Sequence, residues 1–153
     1  MEWLYSIVSN PFLIIGVSSW FIAQVLKIII HTIMYKKLDL TRMYGDGGMP
    51  SGHSATVSSV AAVAGLVYGT GSFEFAIAMV FAIIVCHDAM GVRRETGRQA
   101  VVINEIIRTF SIVSDEKLPE ENLKELVGHS PVQVFAGIII GICNAFLMHS
   151  LLF

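Results

Sequence analysis

The sequence predicts an all-α fold: an integral membrane four-helix bundle with a cytoplasmic amphipathic helix and a short helix between the third and fourth spans. The first observation is composition, because a chain that is 54% hydrophobic and 14% charged is too apolar for an ordinary soluble domain. The second is a set of four apolar runs, each close to the ~20 residues that cross a bilayer as a helix. The predicted spans are residues 12–35, 50–70, 73–92 and 131–153 of a single 153-residue domain. A soluble helical bundle is the alternative, but these runs lack the charged outer face that it requires.

The spans are separated by short polar or glycine-containing segments. The first span follows residues 1–10, whose aromatic side chains suit the headgroup level of a membrane. The second span reaches membrane length only if it begins at Pro50, a residue type that suits the first position of a helix. The third span follows a turn at residues 70–72, and the fourth begins at Pro131.

The segment between the third and fourth spans carries two predicted helices. Residues 94–110 have an amphipathic pattern, and residues 119–127 form a short acidic helix that begins at Pro119 and ends before Gly128. The amphipathic helix places on one face Ala100, Ile103, Ile107 and Phe110, opposite Arg98, Glu105 and Arg108.

The basic residues predict the orientation of the chain in the membrane. All ten Lys and Arg residues lie toward one side, and residues 1–26, 70–72 and 130–153 contain none. The positive-inside rule therefore predicts that loops 36–49 and 93–130 are cytoplasmic and that both termini lie outside. The net charge of −2 argues against a nucleic acid partner, because proteins that bind nucleic acid carry a basic surface.

Two pairs of glycines lie within the predicted spans. Gly65 with Gly69, and Gly137 with Gly141, fit the small-xxx-small pattern that lets membrane helices pack closely. The pattern is compatible with packing inside one chain and with a homodimer contact.

The most informative motif is a glycine-rich loop, residues 47–54, that runs through Pro50 into the second span. A helix N-terminus has free N–H groups and a partial positive charge, so it suits a phosphate group. The N–H groups of Ser51 and Gly52 are the candidate donors. His53 follows in the first turn, where it could give or take a proton near neutral pH.

Other ionisable residues collect at the same membrane face. They are Lys27 near the end of the first span, Asp88, Arg93 and Arg94 at the end of the third, and His129 before the fourth. Ionisable residues are costly within a membrane and usually line a functional cavity. Hydrolysis of a phosphate ester needs a nucleophile on one side of phosphorus and an acid at the leaving oxygen. Two histidines with cations between them meet that requirement.

Three segments resemble the divergent bacterial and plant branch of the type 2 phosphatidic acid phosphatase (PAP2) superfamily, which also includes vanadium haloperoxidases. They are residues 47–53, 88–94 and 128–131, and they follow the superfamily's order. The resemblance implies that His129 is the nucleophile, forming a phosphohistidine, and that His53 protonates the leaving group. It also implies that phosphate is bound by Lys27, Arg42, Ser51, Gly52 and either Arg93 or Arg94, with no metal or other cofactor.

The chain departs from the superfamily pattern in three places. The Asp that follows the nucleophile by four residues and orients it is Gln133 here, which makes Gln133 the candidate orienting residue. Asp88 is the preferred replacement for the missing carboxylate. About 35 residues separate Arg93 from His129, where the superfamily has a handful, and its Arg-Pro pair is absent.

These residues predict a metal-independent membrane phosphatase whose partner is a lipid-linked phosphate or diphosphate in the bilayer. Polyprenyl diphosphates, phosphatidic acid and phosphatidylglycerol phosphate all fit the motif. The alternative is a non-catalytic lipid-phosphate-binding scaffold that keeps the phosphatase fold, and Gln133 favours it. A zinc site made of His53, Asp88 and His129 is disfavoured, because the nearby cations would repel a divalent ion.

Overall fold

The computed structural model describes residues 1–39, 43, 47–114, 123 and 128–153, and their regular structure is helical throughout. The predicted all-α class is therefore confirmed for this part of the chain. The helices are α1 (Glu2–Val8), α2 (Pro11–Tyr35), α3 (Gly52–Tyr68), α4 (Phe73–Met90), α5 (Val92–Ser114) and α6 (Pro131–Leu152).

Four of these helices begin at a polar side chain that caps free backbone N–H groups. The Asn10 side chain accepts from Phe12 N–H at 2.9 Å at the start of α2, and the Ser72 hydroxyl accepts from Phe75 N–H at 3.1 Å at the start of α4. Ser51 and Ser130 cap α3 and α6 in the same way. Such caps typically stabilise a helix by about 1 kcal/mol, and they fix where each helix begins.

Three helical stretches among the described residues are long and apolar enough to cross a membrane, namely α2, Phe73–Phe110 (α4 with α5) and α6. The second predicted span is not among them and stays a prediction. Helix α3 has 17 residues, because the chain is capped at Ser51 rather than entering the helix at Pro50, and because it leaves the helix at Gly69. The third predicted span corresponds to α4, and Gly91 separates α4 from α5.

Helix α3 is the centre of the packing, in contact with α2, α4 and α6. Its buried positions are mostly Ser, Ala and Gly, and small side chains let neighbouring helices approach closely. Val63 of α3 packs with Ile15 of α2 and Ala145 of α6, while Val57 and Ala82 belong to a second apolar cluster that joins α3 to α4. The central helix therefore determines where its neighbours stand.

The two glycine pairs have different roles. A Cβ at Gly137 would collide with the Ser51 carbonyl oxygen, and one at Gly141 would collide with the Ala55 carbonyl oxygen. This pair therefore lets α6 pack against α3 inside one chain. Gly69, by contrast, is the residue that ends α3, with a φ of 85° and open space around it. A homodimer remains a prediction.

Asn144 ties α6 to α2 deep inside the protein. Its side-chain amide donates to the Ser19 hydroxyl at 2.8 Å and to the Ser18 hydroxyl at 2.9 Å, and the residue is buried. Hydrogen bonds between helices help to hold membrane proteins together. The amide therefore stabilises the contact between the two helices.

Helix α5 leaves the bundle and contacts only α4 among the described helices. Ala100 is buried, as the predicted apolar face requires, but Ile103 and Phe110 on the same predicted face are exposed. The Asn104 side chain holds the backbone of Leu123 through two hydrogen bonds, of 3.0 and 3.1 Å. The rest of the predicted acidic helix at residues 119–127 lies outside the described residues.

Candidate functional site

Two histidines lie side by side where α3 and α6 begin. The His53 and His129 rings are 6.5 Å apart between centroids and nearly perpendicular, at 85°. His53 sits in the first turn of α3 and is exposed, whereas His129 is buried, at 3% exposure. The sequence placed these residues 76 positions apart, and the fold brings them into one site.

The backbone of His129 is fixed by its neighbours. Its N–H donates to the Ala89 carbonyl oxygen at 3.0 Å, which joins the segment before α6 to the last turn of α4. The preceding residue, Gly128, has a φ of 85°, in the left-handed region that favours glycine. Gly128 therefore provides the turn that brings His129 up against α4.

Ser51 has a different role from the predicted one. Its backbone N–H donates to the Gln133 carbonyl oxygen at 3.0 Å, so this donor is already used inside the protein. The Ser51 side chain accepts from the Ser54 N–H at 3.3 Å and from the Ser54 hydroxyl at 3.0 Å. The expected phosphate contact of the Ser51 N–H is replaced by a bond that ties the starts of α3 and α6 together.

Gln133 is used in the cap of α6. Its side-chain Oε1 accepts from the Ser130 N–H at 3.0 Å, while its own N–H donates to the Ser130 hydroxyl at 3.4 Å. This reciprocal pair is a capping box. Gln133 occupies the position of the superfamily's Asp, and its Oε1 atom accepts a hydrogen bond from Ser130. The sequence predicted instead that this side chain orients His129.

Gly52 begins α3 beneath an aromatic ring. A Cβ at this position would lie 3.2 Å from Cδ1 of Trp20 and 3.8 Å from Cδ of Gln24. Packing of α2 on α3 is therefore one reason for a glycine here. The predicted close approach of a phosphate to the Gly52 backbone stays a prediction.

A cavity of about 490 Å³ lies between the end of α2, the start of α5 and the start of α6, and Gly128, the residue before His129, is part of its lining. Three cationic residues line it: Lys27, Arg94 and Arg98. Lys27 is buried at 4% exposure, and its aliphatic stem runs along Gly48, where a Cβ would lie 3.4 Å from it. Gly48 has a φ of 98°, so the glycine-rich loop folds over the lysine in a conformation that other residues rarely adopt.

The structure describes less of the three remaining predicted site residues. Asp88 is half-buried in the last turn of α4, next to the Ala89 carbonyl that holds His129. Arg93 lies in the first turn of α5, and its side chain is outside what the structure describes. Arg42 lies outside the described residues altogether.

Sequence reasoning missed two residues near the site. Arg98 was placed on the outer polar face of its helix, but it lines the cavity one turn after Arg94. The spacing of four was the available signal, since such residues share a helix face. Trp20 packs over Gly52. Apart from its position on α2, nothing in the sequence indicated that it lies near the site.

The described residues contain no group of three or more His, Cys, Asp or Glu side chains placed to hold a metal ion. The described residues offer two neighbouring imidazoles, and a cavity lined by three cations that reaches Gly128, the residue before His129. Cations and helix N-termini stabilise phosphoryl oxygens, and imidazoles can attack phosphorus or move protons. The chemistry of these residues therefore suits a phosphate group.

Comparison with known proteins identifies the family of this chain. A sequence model described as the divergent PAP2 family matches residues 8–144. The chain is also 42% identical over 129 residues to "Uncharacterized membrane protein YuiD" of Bacillus subtilis (strain 168), a match that covers 78% of this chain and 82% of that protein. No solved structure matches.

Proposed function

We propose that this chain, which belongs to the divergent PAP2 family, is a membrane phosphatase that removes phosphate from a lipid-linked phosphate or diphosphate through a phosphohistidine. The observation that carries the proposal is the pair of histidine rings, 6.5 Å apart between centroids, together with a cavity that Lys27 and Arg94 line and that reaches Gly128, the residue before His129. Attack on phosphorus needs an approach of about 3–3.5 Å, and proton donation needs about 2.6–3.2 Å. Two rings at this separation are close enough to serve one phosphate.

In the first step, a ring nitrogen of His129 attacks phosphorus. The bond between phosphorus and the ester oxygen breaks, and His53 gives its proton to that oxygen, so the lipid leaves as a neutral alcohol or as a shorter phosphate. In the second step, water attacks phosphorus and gives a proton to His53. The phosphorus–nitrogen bond breaks, which releases inorganic phosphate and restores His129.

The charges of the site stabilise this transfer. Lys27, Arg94 and the Gly52 N–H bind the phosphoryl oxygens, and Arg98 adds a third cation. Arg93 and Arg42 are further candidates from the sequence. In this proposal Asp88, half-buried in the last turn of α4, orients His129 in place of the superfamily's Asp, whose position Gln133 occupies. Gln133 acts through the backbone, by holding Ser51.

The test is phosphate release by the purified protein in detergent. Dioleoyl phosphatidate, phosphatidylglycerol phosphate and a polyprenyl diphosphate form the panel, and we expect release from at least one. We expect vanadate to inhibit, because it can adopt the five-coordinate geometry of the transferring phosphoryl group. His53→Ala should slow release by about 10²–10⁴-fold, the usual contribution of a general acid. His149→Ala, at the far end of α6, is the control.

A non-catalytic scaffold that binds lipid phosphate is the second candidate, and the use of Gln133 in the α6 cap favours it. Binding without turnover across the whole panel would support the scaffold and contradict the phosphatase. His53→Ala would then change the affinity for lipid phosphate rather than a rate.

We further propose that the site faces the cytoplasm and that both termini lie outside, as the distribution of basic residues predicts. Two single cysteines test this in a chain without Cys86 and Cys143: Arg108→Cys on α5 and Leu151→Cys at the end of α6, both at exposed positions. In intact cells an impermeant maleimide should label only the cysteine at 151. In inside-out vesicles it should label only the one at 108. The reverse pattern would place the site outside.

A further inference from the structure

Four side chains that carry polar atoms form a row along α2. They are Trp20, Gln24, Lys27 and His31, and their spacing of four, three and four residues places them on one face of the helix. Lys27 and His31 line the cavity of about 490 Å³. Trp20 and Gln24 continue the row to the start of α3, where both lie beside Gly52. Polar groups within a segment apolar enough to cross a membrane are costly and usually serve a function.

The side-chain amide of Gln24 is not satisfied by the protein. Gln24 is 5% exposed, and its Oε1 atom is buried without a hydrogen-bond partner in the described part of the chain. A Cβ at Gly52 would lie 3.8 Å from the amide carbon, to which Oε1 is bonded. Native proteins rarely leave a buried polar atom unpaired, because its lost hydration is then not replaced. The amide therefore indicates a ligand at the start of α3.

Two hydrogen-bond donors lie around the same place. The Ser51 hydroxyl caps the Ser54 N–H, and none of the described hydrogen bonds uses the Gly52 N–H. Nε1 of Trp20 would lie 3.5 Å from a Cβ at Gly52, and this N–H group also makes no hydrogen bond among the described residues. An N–H group at a helix start and an indole N–H only donate, so they suit an oxyanion. Lys27, one turn along α2, favours the same sign of charge.

The one acceptor among these donors decides which oxyanion fits. The lone pairs of the Gln24 Oε1 atom would repel an oxygen that carries no proton. An oxyanion with a hydroxyl would donate to Oε1 and accept from the two N–H groups, so that all three are paired. Inorganic phosphate carries a hydroxyl near neutral pH, and so does a phosphate monoester near its second pKa of about 6. Sulfate and phosphodiesters carry none.

We infer that Gln24 determines the specificity of the phosphate site: its Oε1 atom accepts from the hydroxyl of a terminal phosphate, while Trp20 and Gly52 donate to the other oxygens. This inference rests on the proposed function, which places the phosphoryl group at the start of α3. Most phospholipids of a bilayer are phosphodiesters. The Gln24 acceptor thus keeps the lipids that surround the protein out of the site and admits those that end in a phosphate.

The experiment measures binding and does not depend on turnover. Fluorescence of Trp20 reports on ligands in a chain that carries Trp3→Phe, because the chain has two tryptophans. Two pairs of ligands are titrated in detergent at pH 6. Sodium phosphate against sodium sulfate tests a free anion. Dodecylphosphonate against its monomethyl ester tests a lipid-like headgroup that cannot be hydrolysed, and its two members differ in the hydroxyl.

Gln24→Met is the test variant, since methionine has a similar volume but lacks the amide. We expect the chain with Gln24 to bind the hydroxyl-bearing member of at least one pair about tenfold or more tightly than its partner, the usual effect of a hydrogen bond to a charged group. Gln24→Met should bring this ratio close to one and leave the affinity for the partner unchanged, which also shows that the variant is folded. Gln99→Met, at an exposed position on α5, is the matched control and should keep the ratio.

Two results would overturn the role of Gln24. One is an equal loss of affinity for both members of each pair in Gln24→Met, because the amide would then act as a donor. The other is a ratio that Gln24→Met leaves unchanged in both pairs. Failure of the proposed function is separately visible: selection that depends on Gln24, without phosphate release from any lipid, would support this inference and contradict the phosphatase.

Discussion

Replacement of His129 by glutamine is expected to lower kcat for phosphate release on the order of 10³-fold or more, because loss of a covalent nucleophile removes the pathway rather than weakening one contact. Glutamine fills a similar volume in a site where only 3% of His129 is exposed, and the bond from its backbone N–H to Ala89 can persist. Binding of lipid phosphate should survive, since Lys27 and Arg94 remain.

His87→Gln is the matched control, an exposed histidine in the last turn of α4, close in sequence to the Ala89 carbonyl. Rapid acid-free quenching with a ³²P-labelled substrate should trap label on the wild-type chain and on His87→Gln, but not on His129→Gln. Turnover by His129→Gln within about tenfold of the wild type would show that His129 is not the nucleophile.

Much of the site could be predicted because its residues lie in short sequence motifs. The loop before α3 and the segment before α6 each place a histidine at a helix start, and the spacing of residues shows this without a structure. Two of the cationic residues were also visible, since Lys27 and Arg94 lie near predicted span ends on one side of the membrane. That these ends meet in one cavity follows from the topology of antiparallel helices.

The partners of Ser51 and Gln133 could not be predicted in the same way. Their backbone bond joins residues 82 positions apart, and it depends on how closely α6 approaches α3. A motif read along the chain assigned the Ser51 N–H to phosphate, because helix N-termini usually present such donors. In the folded protein, the Ser51 N–H donates to the Gln133 carbonyl oxygen instead.

The bounds of α3 show what the hydropathy of a sequence leaves undetermined. Residues 50–70 are apolar enough to suggest a span, but a run of apolar residues does not show where a helix is capped. Ser51 and Gly69 shorten the helix to 17 residues, and its small buried side chains indicate a packing centre surrounded by α2, α4 and α6. Burial by protein and burial by lipid select the same residue types, so composition alone does not separate them.

Replacement of Gly141 by leucine should break the contact on which the histidine geometry depends. Even a Cβ at this position collides with the Ala55 carbonyl and the Ser58 hydroxyl, and both belong to α3. A backbone oxygen cannot move aside as a flexible side chain can, so α6 must shift away from α3. We expect the free energy of unfolding to fall by about 1–3 kcal/mol or more, the usual cost of overpacking.

The same shift should separate His129 from His53, because the two residues precede α6 and begin α3. A displacement of about 1 Å can cost about 10²-fold in rate, so activity should fall even in the fraction that remains folded. Gly71→Leu is the control, since a Cβ there meets nothing within 4 Å. Thermal unfolding followed by circular dichroism gives the stability, and kcat measured on the folded fraction gives the geometry. Retention of wild-type kcat in folded Gly141→Leu would mean that the α3–α6 contact stabilises the protein without positioning the histidines.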